Sequence, residues 1–270
     1  MTRRPSVQAL RDEALELLDD DPDGALERAR DALGRQPDAE SHYVLGLALC
    51  ATGDEDAGHA ALTRATELDA SHADAWCALG QLHFDALRFE EAAAAVRTSL
   101  RVDPHHPDAL LVRAWLRERR GDHDGAARDY QAAALVSPDD HPLPLALDEE
   151  TVAQVADEVV ESFDVSFQEM LKDVHILVED VPSEDVLRSF DPPALPHELL
   201  GCFHGASLLE RTLGDAWGAL PATIQLFRCN LARVASDREE LLEEVRVTLL
   251  HEIGHYLGLD EDDLEARGLD

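Results

Sequence analysis

Positive charge is scarce in this chain. Its 270 residues carry 23 Lys and Arg against 57 Asp and Glu, a formal net charge of −34, and Lys172 is the single lysine. Nucleic acids and anionic membranes are held by basic surfaces, so this balance argues against both and favours basic or neutral partners. The acid is spread over the whole length, which excludes a single disordered acidic tail. Long apolar runs are also missing, so no transmembrane helix is expected. Met1-Thr2-Arg3-Arg4-Pro5 leads into a charged amphipathic stretch instead of an apolar signal core, and a cytoplasmic protein is the expectation. Cysteine is sparse as well. Cys50, Cys77, Cys202 and Cys229 are widely spaced and form no C-x-x-C. That pattern suits free thiols in a reducing compartment better than a disulfide framework.

What the chain does have is a repeat. Trp76, Leu79, Gly80, Ala92, Ser99 and Pro104 are followed 34 residues later by Leu110, Arg113, Ala114, Ala126, Ala133 and Pro138. Gly46 and Ala65 precede Gly80 and Ser99 by the same step. Three units result, roughly 39–72, 73–106 and 107–140, and a fainter one precedes them with Ala9, Ala25, Ala29, Ala32 and Pro37. Each unit reads as two antiparallel helices whose small residues permit close approach. Gly53-Asp54, Asp85-Ala86-Leu87-Arg88 and Gly121-Asp122 mark the turns.

The period, the alanines and the start Trp76-Cys77-Ala78-Leu79-Gly80 resemble the tetratricopeptide repeat. The resemblance implies an α-solenoid that binds a protein or peptide in a groove lined by the first helix of each pair. In phase, that lining is Glu40, Tyr43, Cys50, Asp74, Cys77, Gln81, Phe84, Asp108, Trp115 and Glu118. It is acidic with aromatic patches and lacks the Lys/Arg/Asn set that clamps a C-terminal carboxylate. A basic or apolar peptide suits it, or the groove packs against the second domain.

Pro138, Pro142 and Pro144 stiffen a linker. The expected organisation is a repeat domain at 1–138, a linker at 139–150 and a second domain at 151–270. Thr151 is a candidate cap for a helix through Val152, Val155, Val159 and Val160. Strands are expected over Asp173–Glu179, Leu199–Phe203 and Pro221–Arg228. A long helix starts near Asp237 and stops at Gly258, which can take the left-handed conformation. The fold class is therefore mainly α, with a small α+β C-terminal domain.

That last helix contains His251-Glu252-Ile253-Gly254-His255-Tyr256-Leu257-Gly258-Leu259-Asp260-Glu261. His251 and His255 lie one turn apart and face the same way, so two imidazoles can hold one Zn²⁺ with Glu252 beside the ion. Thirteen His and abundant Glu make an accidental H-E-x-x-H a competing explanation. The amphipathic run Leu241–Leu250 and the glycine at 258 weigh against accident.

Residues from about 151 to 270 resemble the bacterial zincin-like metallopeptidases with a minimal zincin fold. The matching stretches are Val178–Pro182, Leu200–Gly205, Ile224–Arg228 and Val245–Gly258. The resemblance implies zinc-dependent peptide hydrolysis with Glu252 as general base. The family's third ligand is His or Asp at the position that holds Glu261 here. Glu261 ranks first, then Asp260 and Asp262, with Glu265 open to a chain that doubles back. No methionine follows the motif, which excludes the methionine turn of the metzincins. The strand Ile224–Phe227 is a candidate edge for an extended peptide, and His204 and His175 are candidates for stabilising an oxyanion, each also readable as structural. Asp262 and Asp263 are expected to cap a final helix, Leu264–Leu269. A second functional reading is an interaction scaffold with a structural or weakly active zinc module.

Overall fold

The 34-residue period becomes pairs of antiparallel helices. In the computed structural model, which describes residues 5–208 and 222–265 apart from the side chains of Glu261 and Glu265, the chain divides into two units, Met1–His141 and Pro142–Asp270. The first unit contains α1 (Val7–Glu16), α2 (Pro22–Arg35), α3 (Ala39–Ala51), α4 (Glu55–Leu68), α5 (Ala73–Asp85), α6 (Phe89–Val102), α7 (Pro107–Glu118) and α8 (His123–Val136). Small residues set the crossings. A Cβ on Gly46 would lie 2.6 Å from Leu62 Cγ, and one on Gly80 would lie 2.6 Å from Val96 Cγ2. Gly53 and Gly121 turn the chain within their pairs at φ 81° and 72°. Leu87 takes that place in the pair between them, at φ 58°. A left-handed leucine costs on the order of 1–3 kcal/mol, offset here by burial of its side chain to 5 % exposure.

A second period ties successive units together. His72 and His106 cap α5 and α7, each accepting at Nδ1 from the backbone N–H of Ala75 (3.2 Å) and Ala109 (3.4 Å). Nε2 therefore carries the proton and donates to Glu40 at 3.1 Å and Asp74 at 3.2 Å. His141 Nε2 lies 3.1 Å from Asp108 Oδ1. The hydrogen bond to Asp74 raises the His106 pKa above its usual value, against the opposing effect of burial. Three acids of the expected groove are thus engaged by the histidine at the end of their own unit, or just past it for His141.

A concave cavity of about 280 Å³ does form there, with Tyr43, Asp74, Cys77, Gln81 and Asp108 among its lining. Phe84, Trp115 and Glu118 do not belong to it. They are buried at 1 %, 9 % and 7 % exposure. Phe84 packs on Trp115 with ring centroids 5.5 Å apart, and Glu118 accepts the Tyr130 hydroxyl at 3.0 Å. Phe84 and Trp115 meet between the first helices of adjacent pairs, and Glu118 faces the second helix of its own, which the apolar pattern of a short repeat does not separate from the groove.

The second unit contains α9 (Glu149–Ser162), α10 (Val165–Leu171), β1 (Val174–Glu179), α11 (Glu184–Leu187), β2 (Gly201–His204), β3 (Ala222–Phe227), α12 (Arg228–Val234), α13 (Arg238–Leu257) and α14 (Glu261–Glu265). Residues 142–147 belong to it: the Leu145 N–H donates to Ala232 O at 2.8 Å, and Leu147 is buried. Asp148, not Thr151, caps α9, accepting from the Thr151 N–H at 2.7 Å. The three strands are ordered β1-β3-β2, with β1 parallel and β2 antiparallel to β3. One core joins Val152, Val155 and Val159 of α9, Ile224 and Leu226 of β3, and Leu241, Val245, Leu249 and Tyr256 of α13. Strand β3 is central, so the expectation that Ile224–Phe227 forms an edge is corrected: both of its backbone edges are paired. Among the described residues, strand β2 is the edge on the side of the motif helix. Among the described residues no helix is long and apolar enough to cross a membrane.

Candidate active site

Helix α13 carries the motif because both of its ends are specified. Asp237 accepts from the N–H groups of Glu239 and Glu240 at 2.8 and 3.0 Å, and those two acids complement the helix N-terminus. At the other end Gly258 takes φ 89°, and the Leu259 N–H returns to Gly254 O at 3.1 Å. Leu241, Val245, Leu249, Ile253 and Tyr256 bury one face. That leaves His251 and His255 half-buried on another, with Glu252 buried between them in sequence at 6 % exposure.

The two Nε2 atoms of His251 and His255 lie 3.0 Å apart. Two nitrogens held at roughly 2.0–2.1 Å around a tetrahedral zinc are separated by about 3.3 Å. The imidazole pair therefore already converges almost as a shared cation requires. Its tautomer suits the same role: His255 Nδ1 lies 3.2 Å from Leu259 O and donates its proton there, leaving the Nε2 lone pair toward His251.

The third ligand is less complete. The side chain of Glu261, and that of Glu265, lie outside the described residues. Among the described residues no group of three His, Cys, Asp or Glu side chains converges as a metal site. Asp260 is occupied in another way, accepting from the Asp263 N–H at 2.9 Å, and Asp262 is exposed. The last described helix starts at Glu261 and is capped by Asp260, so the expected start at Leu264 with Asp262 and Asp263 as caps is corrected; the rest of that expected helix, 266–269, lies outside the described residues. Leu264 is fully buried and holds α14 against α13, at a point where a Cβ on Gly254 would be 2.3 Å from its Cδ2.

His251, Glu252, His255 and Gly258 open onto a cleft of about 640 Å³ whose other wall includes Leu199, Gly201, Cys202, Phe203 and Ser207. The wall comes from β2 and its flanks. Sequence reasoning used Leu200–Gly205 only as a family signal and did not assign it to the cleft. Gly201 is the residue that brings β2 onto the motif. Its missing Cβ would lie 2.8 Å from Thr248 Cγ2, 3.1 Å from Gln225 O and 3.3 Å from Glu252 Cγ. Gly201→Ala is expected to push β2 off α13, lowering stability by about 1–3 kcal/mol and displacing Glu252. Urea unfolding and a peptide-cleavage assay check this, and unchanged values in both would refute the positioning role.

Cys202 lies beside this wall with Sγ 3.2 Å from His204 Nε2 and 3.5 Å from Gln225 Oε1, and Gln225 donates to Glu179 at 3.0 Å. Burial pushes the Cys202 pKa up to about 12, and the charges of Glu252 and Glu179 add to the effect. At neutral pH the metal-free sulfur stays a thiol. His204 is engaged with that thiol. His175 is exposed on β1, which β3 separates from β2, so it is not brought to the cleft.

Residues 171–269 match the zincin-like metallopeptidase family, and residues 12–73 and 77–142 match the tetratricopeptide repeat. A search of curated proteins gave no match. Similar solved structures include a crystal structure of MamA, at 23 % identity over 50 % of this chain and 80 % of that one, TM-score 0.41. They also include TTC0263, a thermophilic TPR protein in Thermus thermophilus, at 21 % identity over 50 % and 76 %, TM-score 0.45. A third is YrrB, a TPR protein with an unusual peptide-binding site, at 19 % identity over 50 % and 70 %, TM-score 0.39. The small mixed sheet backed by the H-E-x-x-H helix and the helical pairs before it agree with the two family matches: this chain joins an N-terminal tetratricopeptide-repeat region, residues 12–142, to a zincin-like metallopeptidase domain, residues 171–269.

Proposed function

We propose that the C-terminal domain hydrolyses peptide bonds with zinc, and that the repeats recruit the substrate or a partner protein. The observation that carries this reading is the 3.0 Å approach of the two imidazole Nε2 atoms beside a buried Glu252 in an open cleft. His251, His255 and Glu261 would hold the ion, the third through an oxygen where the family has His or Asp. Zinc would supply Lewis-acid polarisation of the scissile carbonyl and acidify a water. Glu252 takes the proton of the attacking water on its carboxylate and passes it to the leaving amine. The edge of β2, unpaired among the described residues, supplies backbone N–H and C=O groups that can align an extended peptide along the cleft. Phe203 and Leu199 give that cleft apolar walls.

The repeats enter the proposal through their concave cavity, where Tyr43 and Leu111 lie among Asp74 and Asp108. A basic or apolar segment fits that chemistry. The proposed setting is the cytoplasm, whose reducing conditions suit the four free cysteines.

The test is metal content and cleavage in the full chain. Purified protein is expected to hold one zinc per chain and to cleave an unstructured basic peptide. Chelation is expected to abolish cleavage, and zinc to restore it. A chain that binds no zinc sinks the proposal. Stoichiometric zinc with no cleavage of a broad peptide set favours the scaffold reading with a structural zinc module.

A further inference from the structure

The first unit holds a second cavity, of about 390 Å³, between α6 and α7. Five of its lining residues are arginines: Arg97 and Arg101 one turn apart on α6, Arg113 and Arg117 on α7, and Arg120 just beyond it. In a chain of net charge −34 this is a local reversal of sign. Among the described residues, three carboxylates answer three of the five guanidinium groups. Asp129, with its side chain 4 % exposed, accepts from Arg113 Nε at 2.9 Å and Nη2 at 2.7 Å, and lies 2.8 Å from Arg117 Nη1. Asp122 lies 3.7 Å from Arg117 Nε, and exposed Glu90 takes Arg120 at 2.9 Å. Arg97 and Arg101 have no carboxylate partner among the described residues; Arg101 reaches only Thr98 Oγ1, at 3.4 Å.

The α7 side demonstrates what such a pair does. Two guanidinium groups one turn apart, Arg113 and Arg117, close on a single carboxylate. Arg97 and Arg101 repeat the spacing on the facing helix with no acid between them. We propose that this cavity docks an acidic segment of a partner polypeptide, with Arg97 and Arg101 taking an incoming carboxylate as Arg113 and Arg117 take Asp129. Guanidinium forks match carboxylates in a way a point charge does not. Val96, Leu100 and Leu116 supply an apolar floor for the stems of the incoming side chains. The chain's overall negative charge does not forbid this. At physiological salt, acids more than about 8 Å away are largely screened, whereas the arginines act in contact.

This surface is opposite in charge preference to the concave cavity, and it rests on the repeats alone, independently of any peptidase activity. A fluorescently labelled Asp/Glu-rich peptide, titrated with the full chain at about 0.15 M salt, tests it by anisotropy. Saturable binding is expected. The double variant Arg97→Glu/Arg101→Glu should weaken it at least about tenfold. Arg64→Glu, at an exposed pair with Glu67 on α4, should leave it unchanged. Circular dichroism establishes that the variants fold, and Arg97→Ala/Arg101→Ala replaces the charge reversal if that variant does not. No saturable binding, equal weakening by Arg64→Glu, no weakening by the α6 variants, or tighter binding of a single-stranded oligonucleotide each overturns the proposal.

Discussion

Glu252→Gln is expected to retain bound zinc and to lose peptide cleavage by roughly 10²–10⁴-fold. The substitution keeps shape and changes only proton affinity. Glu252 is buried at 6 % exposure, and its Cγ lies where a Cβ on Gly201 would come within 3.3 Å. Glutamine fits that space, so β2 and α13 should keep their packing. The amide cannot take a proton from water, so the step assigned to Glu252 fails while the imidazole pair is untouched. Because glutamine fits the same space, the metal-free variant should stay folded, which its urea midpoint checks. Cleavage that survives in the variant would remove Glu252 from the mechanism. Zinc lost together with cleavage would make Glu252 part of the metal site. The measurements are zinc per chain, kcat/KM on one peptide, and the urea midpoint of the metal-free proteins.

Much of this site was legible because it follows local rules. The spacing of His251 and His255 is a statement about one helical turn, and the stop at Gly258 is a statement about one backbone conformation. The repeats were legible for a similar reason: Gly46 and Gly80 recur at the period because each crossing allows no Cβ. What was not legible depends on which elements meet. Strand β3 reads like any short apolar strand, and its central place comes from pairing with both β1 and β2. Helix α12 follows β3 directly with no capping side chain, so it sent no start signal. Glu40, Asp74 and Asp108 were visible as an acidic stripe, but their engagement by His72, His106 and His141 appears only when the units stack. The five arginines at the α6–α7 cavity are spread over 97–120 among acids. A net charge summed along the chain hides a cluster that two facing helices assemble.

Glu261→Ala is expected to lower zinc affinity by more than about a hundredfold, and Glu261→His to keep most of it. The magnitude exceeds the roughly 10–100-fold typical of losing a partner of a ligand, because here a direct ligand would go. Two imidazoles alone leave a zinc site one ligand short of the three protein groups a catalytic site uses. After His255 the chain leaves the helix at a defined turn. Gly258 reverses its direction, the Leu259 N–H bonds back to Gly254 O, and Leu259 O takes the His255 Nδ1 proton. Buried Leu264 then fixes α14 on α13, with Glu261 as its first residue. Histidine has the reach and the donor that the family pattern uses at this place, which is why it should substitute. Asp260→Ala is a different kind of change. It removes the cap on the Asp263 N–H and should cost about 1 kcal/mol, with a smaller effect on zinc. Asp262→Ala, at an exposed position, should do neither. Competition against a chromophoric chelator orders the four variants. If Glu261→Ala binds zinc as tightly as the wild type while Asp260→Ala or Asp262→Ala does not, the third ligand is that aspartate, and the turn after Gly258 delivers its carboxylate in place of Glu261.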